Sequence, residues 1–97
     1  MRTVRFLPEA EIEFRESTLW YYTQQQGLEL EFVRCIDECI ERIKRTPALY
    51  PKVYKHLRRA VVKRFPYVVV YDFNGKEIIV FAVFHSRRDP KKFEKRN

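Results

Sequence analysis

The sequence predicts an α+β fold: an N-terminal strand, a helical hairpin, then an antiparallel three-strand meander, with the helices packed on one face of the sheet. Three observations carry this. Residues 66–84 hold two β-rich runs, Pro66 to Phe73 with its Val and Tyr and the continuous apolar run Ile78 to Phe84, joined across Asn74-Gly75. Residues 28–45 carry an apolar stripe at helical spacing, Phe32, Ile36, Cys39 and Ile43, widened by Val33, Cys35 and Ile40. Arg2 to Leu7 alternates, with Val4 and Phe6 on one side, as a strand with one wet face does. The predicted order is β-α-α-β-β-β, in a single domain over residues 1–97 that ends in a basic polar tail from about residue 90.

Each element has its own local reason. Pro8 opens the first helix at a position that needs no N–H, and Glu9, Glu11 and Glu13 suit the positive end of its dipole. Ala10, Phe14, Ser17, Thr18 and Tyr21 form its inward stripe, and Gly27 supplies its stop. The second helix is expected over Leu28 to Arg45, with Arg42, Lys44 and Arg45 at its negative end and Thr46-Pro47 terminating it. Ala48 to Leu57 reads as a connector with two exposed tyrosines. Arg58 to Arg64 reads as a strand with Ala60 and Val62 inward. Asn74-Gly75 is expected to form a type I′ hairpin turn, which needs φ > 0 at both central residues. The run Ile78 to Phe84 would also suit a buried helix segment, but its length, its β-branched content and the preceding turn favour a strand covered on both faces.

Charge divides the chain. Residues 1–51 hold seven Lys and Arg against nine Asp and Glu, a net of −2, whereas residues 52–97 hold 13 against four, a net of +9. The sheet and tail therefore carry the positive charge, and an anionic partner, nucleic acid or an acidic protein segment, is the expectation. A basic surface kept for solubility is the plainer alternative. No apolar stretch approaches the roughly 18 residues of a membrane span, and MRTVRF lacks the apolar core of a signal peptide, so a soluble cytoplasmic protein is expected. Cys35 and Cys39 are four apart on one helix, which does not suit a disulfide, and with only His56 and His85 beside them no metal site or cofactor is expected. Glycine-rich phosphate loops and Ser-His-Asp arrangements are missing.

Particular residues, taken in order, carry a resemblance. Ala10 leads to Tyr21-Tyr22, then come Gly27-Leu28, Phe32 and Ile36-Asp37, then Pro47 and Tyr50-Pro51. Arg58-Arg59 and Arg64-Phe65-Pro66-Tyr67 follow, and His85-Ser86-Arg87-Arg88-Asp89-Pro90 ends the series. In this order the chain resembles the RelE/ParE toxin superfamily of bacterial toxin–antitoxin systems, with RFPY and HxRRDP closer to the ParE branch. The resemblance implies a growth-inhibiting toxin neutralised by a cognate antitoxin with an acidic, amphipathic C-terminal segment.

The two branches imply different chemistry. A ParE-like protein inhibits DNA gyrase without chemistry of its own, and Arg58, Arg59, Lys63, Arg64, Arg87, Arg88 and Phe93 become candidates for target or antitoxin binding. A RelE-like protein cleaves messenger RNA on the ribosome, which needs an acid, a base and cations for the phosphorane charge. Under that reading His85, with an ordinary pKa of about 6.5, is the acid or base, and Arg87 and Arg64 are the catalytic cations. The tail offers Phe93, which stacks on a base but transfers no proton. A third reading is a basic nucleic-acid-binding module without toxicity, whose affinity would fall steeply with salt. His85 as a hydrogen-bonded strand-end residue, and Arg87 and Arg88 as local partners of Asp89, are the plainer roles for these side chains.

Overall fold

In a computed structural model that describes residues 2–87, the chain forms β1 (Thr3–Phe6), α1 (Pro8–Gln24), α2 (Leu28–Arg45), β2 (Lys52–Tyr54), β3 (Leu57–Val61), β4 (Tyr67–Phe73) and β5 (Glu77–His85). A single 3-10 turn, Pro47–Leu49, follows α2. The five strands make one sheet in the order β1-β5-β4-β3-β2.

The sheet is mixed rather than a purely antiparallel meander. β1 lies parallel to β5, with Thr3 opposite Glu77 and Phe6 opposite Val80, while β2 to β5 run antiparallel. The predicted connector also contributes a strand. Lys52–Tyr54 pairs with β3 through a register irregularity, and Pro51, just before it, accepts a bond from the Arg59 N–H. Its two tyrosines are half-buried: Tyr50 lies against Tyr71, and Tyr54 packs on the outer side of the sheet.

The helical hairpin covers one sheet face. Phe32, Ile36, Cys39 and Ile43 of α2 are fully buried there, as their spacing predicts, against Ala60, Val62, Tyr67, Val69, Tyr71, Ile78, Val80 and Val83. Phe32 sits within 4.9–6.0 Å, centroid to centroid, of Phe14, Tyr21, Phe65 and Tyr67. α1 differs from α2 in patterning. Ala10 and Tyr21 are buried, but Ile12, Leu19, Trp20 and Tyr22 are exposed, so its apolar residues surround the helix. Gly27, at φ 101°, links the helices in the left-handed conformation that glycine adopts without a Cβ clash.

The opposite face holds a second cluster, Leu57, Val68, Val70, Ala82 and Phe84. A β-bulge lets β5 serve both. Val70 pairs with Ala82 but Tyr71 pairs with Val80, so Phe81 is the extra residue and the strand's inward phase shifts by one there. Ile78 and Val80 face the helices before the bulge and Val83 does so after it. The expected coverage on both faces is thus achieved by a change of phase inside an unbroken apolar run.

Two local expectations change. Asn74 and Gly75 do not adopt positive φ. Instead the Asn74 side-chain Oδ1 accepts the N–H groups of Lys76 and Glu77, and the Asn74 N–H reaches the Glu77 carbonyl, which closes a longer loop than a type I′ turn. β3 also ends at Val61 rather than Arg64. Val62 still buries and bonds to the Tyr67 carbonyl, but Arg64 turns to φ 72°, and that breaks the extended chain.

Both cysteines are free and buried, Cys39 fully so with its sulfur 3.9 Å from the Val61 carbonyl. Burial pushes the Cys39 thiol from 9.0 up to about 11, and burial likewise raises the Tyr71 hydroxyl, which donates to the Pro47 carbonyl at 2.6 Å. The folded chain therefore holds these protons more tightly than the unfolded chain. The Cys39 contribution is fully present below pH 9.0 and is lost as pH rises through about 11, and that of Tyr71 is lost at higher pH still. Urea midpoints measured across that window are expected to fall with pH, and iodoacetamide is expected to label Cys39 only in the unfolded protein.

Candidate functional site

The predicted cations separate into two groups at opposite ends of β3. Arg58 and Arg59 stand near its start, opposite Tyr71 and Val70, whereas Lys63 and Arg64 lie beyond its end. The β4–β5 register sets Tyr67 opposite His85, and the Ser86 N–H donates to the Pro66 carbonyl at 2.7 Å. The β3–β4 loop and the end of β5 are thereby tied together. Arg64, His85 and Arg87 share that end of the molecule, while Arg88 and Phe93 lie outside the described residues.

At this end two of the three predicted catalytic side chains, His85 and Arg64, already have contacts. The His85 ring stands edge-on to Tyr67 at 5.5 Å, and its Nδ1 accepts the Arg87 N–H at 3.2 Å. This geometry fits a neutral ring with its proton on Nε2, a form that donates a proton from Nε2 and accepts none there. Arg64 reaches Glu31 of α2 at 3.7 Å from a largely exposed position. Glu31 is held more firmly by Arg34, whose hydrogen bond lowers the Glu31 carboxyl below its ordinary value. Lys63 and Arg87 are exposed.

Arg58 and Arg59 face opposite sides. The Arg58 Nη1 donates to the Tyr50 carbonyl at 2.6 Å, and its guanidinium lies 5.9 Å from the centre of the Phe73 ring. Arg2 approaches the same ring at 5.7 Å, so Phe73 interacts with two guanidinium groups. Arg58 is thus committed to structure, and Arg59 is the exposed member of the pair.

A cleft that the sequence did not announce opens between α1 and the end of β5. It measures about 590 Å³ and is lined by Glu13, Glu16, Ser17, Trp20 and Tyr21 from the helix and by Pro66, Tyr67, Val83, Phe84 and His85 from the sheet side. β1 pairs with β5 only as far as Val80, and beyond it the Val83 N–H is taken by the Glu13 carboxylate at 3.0 Å. The signal for this site was a second stripe on α1: Glu13, Glu16, Ser17 and Trp20 follow at spacings of three, one and three, which keeps them on one side of the helix. Among the described residues, no cluster of three or more His, Cys, Asp or Glu side chains is placed to hold a metal, and no helix is long and apolar enough to cross a membrane.

A family model described as "ParE toxin of type II toxin-antitoxin system, parDE" matches residues 4–90. Among solved structures the chain is similar to one titled "Chromosomal ParDE TA system from P. aeruginosa", with a TM-score of 0.75 and 18% identity, covering 88% of this chain and 96% of that one. At that identity the likeness speaks for the fold. No curated protein matches the sequence.

Proposed function

The chain belongs to the ParE family of toxins of type II toxin–antitoxin systems, and from that premise we propose that it arrests growth by engaging DNA gyrase in the cytoplasm without covalent chemistry of its own. The family match over residues 4–90 is the observation that carries this reading. The contacts of the predicted catalytic set agree with it. His85 keeps Nδ1 on a backbone N–H, Arg64 leans on Glu31, and an arginine stays protonated near neutral pH and makes a poor general base.

Neutralisation by a cognate antitoxin follows from the same membership, and its acidic, amphipathic segment would be drawn to the half of the chain that carries the net +9. Arg59, Lys63, Arg64 and Arg87 are the exposed cations among the described members of the predicted set.

A ribosome-dependent messenger-RNA nuclease is the second reading, and one feature favours it: the Ser86–Pro66 bond holds His85, Arg87 and the Arg64 loop at one end. Two assays separate the readings. Purified protein is expected to inhibit DNA supercoiling by gyrase, and brief induction without antitoxin is expected to arrest growth without new RNA 5′ ends at a fixed codon offset. Codon-phased ends that vanish in His85→Ala, with supercoiling unaffected, would overturn the gyrase reading and leave the nuclease.

A further inference from the structure

We propose that the outer face of the sheet, opposite the helices, is the docking site of the chain's own C-terminal segment, residues 88–97, with Phe93 seated on it. The outer cluster is buried on a face to which the described helices do not contribute. Val68 is 3% exposed, Val70 and Ala82 are 1% exposed, and Leu57 and Phe84 are buried beside them. Among the described residues, both helices pack on the other face and all five strands lie in the sheet itself. Burial that complete on the central strands β4 and β5 calls for a further layer, since the uncovered face of an antiparallel sheet stays wet. The layer has an edge. Val61 lies opposite Val68 on the same face yet is 58% exposed, so the cover ends before that margin of β3.

The C-terminal segment has the starting point, the length and the side chain for this. β5 ends at His85, and Phe84, one residue earlier, belongs to the outer cluster opposite Val68. Phe93 follows Arg87, the last described residue, by six positions. Six residues of extended chain span up to about 20 Å, whereas neighbouring strands stand about 4.8 Å apart, so Phe93 reaches any member of the cluster. Pro90 has no N–H to offer a sheet ladder, which argues against a longer β5 and suits a chain that turns back. Phe93 is the one aromatic residue of the segment, and the rim it would meet, Tyr54 and Phe81, is aromatic as well. Lys91, Lys92, Lys95 and Arg96 flank it with long stems that lie on apolar surface while their charged ends stay in water. Docked this way, Phe93 is a structural anchor rather than a target contact, and the cations of the segment join Arg59, opposite Val70, on one face.

The inference concerns the folded chain alone, so its failure leaves the toxin reading untouched, and growth arrest on induction is read separately. The test is nuclear Overhauser spectroscopy on the full chain, together with melting temperatures of variants in the segment. The Phe93 ring protons are expected to show cross-peaks to methyl groups of Val68, Val70 or Ala82 within one molecule. Phe93→Ala is expected to lower the melting temperature by about 4–8 °C, with Phe93→Leu falling between it and the parent protein. Lys92→Ala is expected to stay within about 3 °C of the parent. Absence of those cross-peaks, cross-peaks to Trp20 in the cleft instead, or an unshifted melting temperature in Phe93→Ala would each overturn the proposal. In a sample that mixes labelled and unlabelled chains, cross-peaks arising only between chains would overturn it too, and would assign the face to a second copy.

Discussion

Phe32→Ala is expected to cost about 3–5 kcal/mol, a large share of the roughly 5–15 kcal/mol that stabilises a domain, because a large ring is deleted where the core cannot collapse around the gap. Phe32 is fully buried and has four aromatic rings around it, Phe14 and Tyr21 from α1, Phe65 from the β3–β4 loop and Tyr67 from the sheet. Removing it separates the hairpin from the sheet and loosens Phe65 and Tyr67, the residues that support the His85 end. Urea denaturation should show the midpoint collapsing, and growth arrest on induction should be lost with it. Phe32→Leu keeps most of the volume and should fall well short of that cost. A midpoint for Phe32→Ala close to that of the parent protein would refute the central place given to this cluster.

The second large effect divides two neighbouring arginines. Arg58→Glu removes a charged hydrogen bond to the Tyr50 carbonyl and a guanidinium beside Phe73, and it sets a carboxylate against that carbonyl instead. The expected cost is about 2–4 kcal/mol. Arg59→Glu, on the exposed side, should change stability by no more than about 0.5 kcal/mol. Its effect should appear in antitoxin binding, as a weaker affinity and a smaller salt dependence. Thermal melts and calorimetric titration of both variants check this. Equal melting temperatures would show that Arg58 is not the structural residue described above. The contrast bears on any charge-reversal series: changing Arg58, Arg59, Arg87 and Arg88 together would mix an unfolding effect with a binding effect.

Much of this fold was legible residue by residue. The second helix occupies the expected Leu28–Arg45 because a full apolar stripe, acidic and basic ends, a glycine and a Thr-Pro pair all agree on its limits. Strand β4 was equally plain from its Val and Tyr content. The three residues of β2 were not legible, since a strand that short after a proline has no period to detect and exists only because β3 is there to pair with. The parallel pairing of β1 was hidden for a related reason: alternation reports which side is wet, not which neighbour lies beside the strand. The bulge at Phe81 was masked by apolar residues on both sides of it. For the candidate site, residue type located the cations but not their surroundings. Only the fold shows that Arg58 is engaged and Arg59 is not, and that Glu13, placed by helix-dipole reasoning, also walls a cleft.

The pairing of Thr3 with Glu77 has a consequence for how the toxin is born. The first strand made waits at the sheet margin for the last one, and until Glu77–Val80 leaves the ribosome it has no neighbour. The same late strand supplies Ile78, Val80 and Val83 to the core, so a nascent chain lacking them cannot close around the helical hairpin. Translation thus orders the assembly: a chain stalled or cut short before β5 has neither the cleft nor the His85 end.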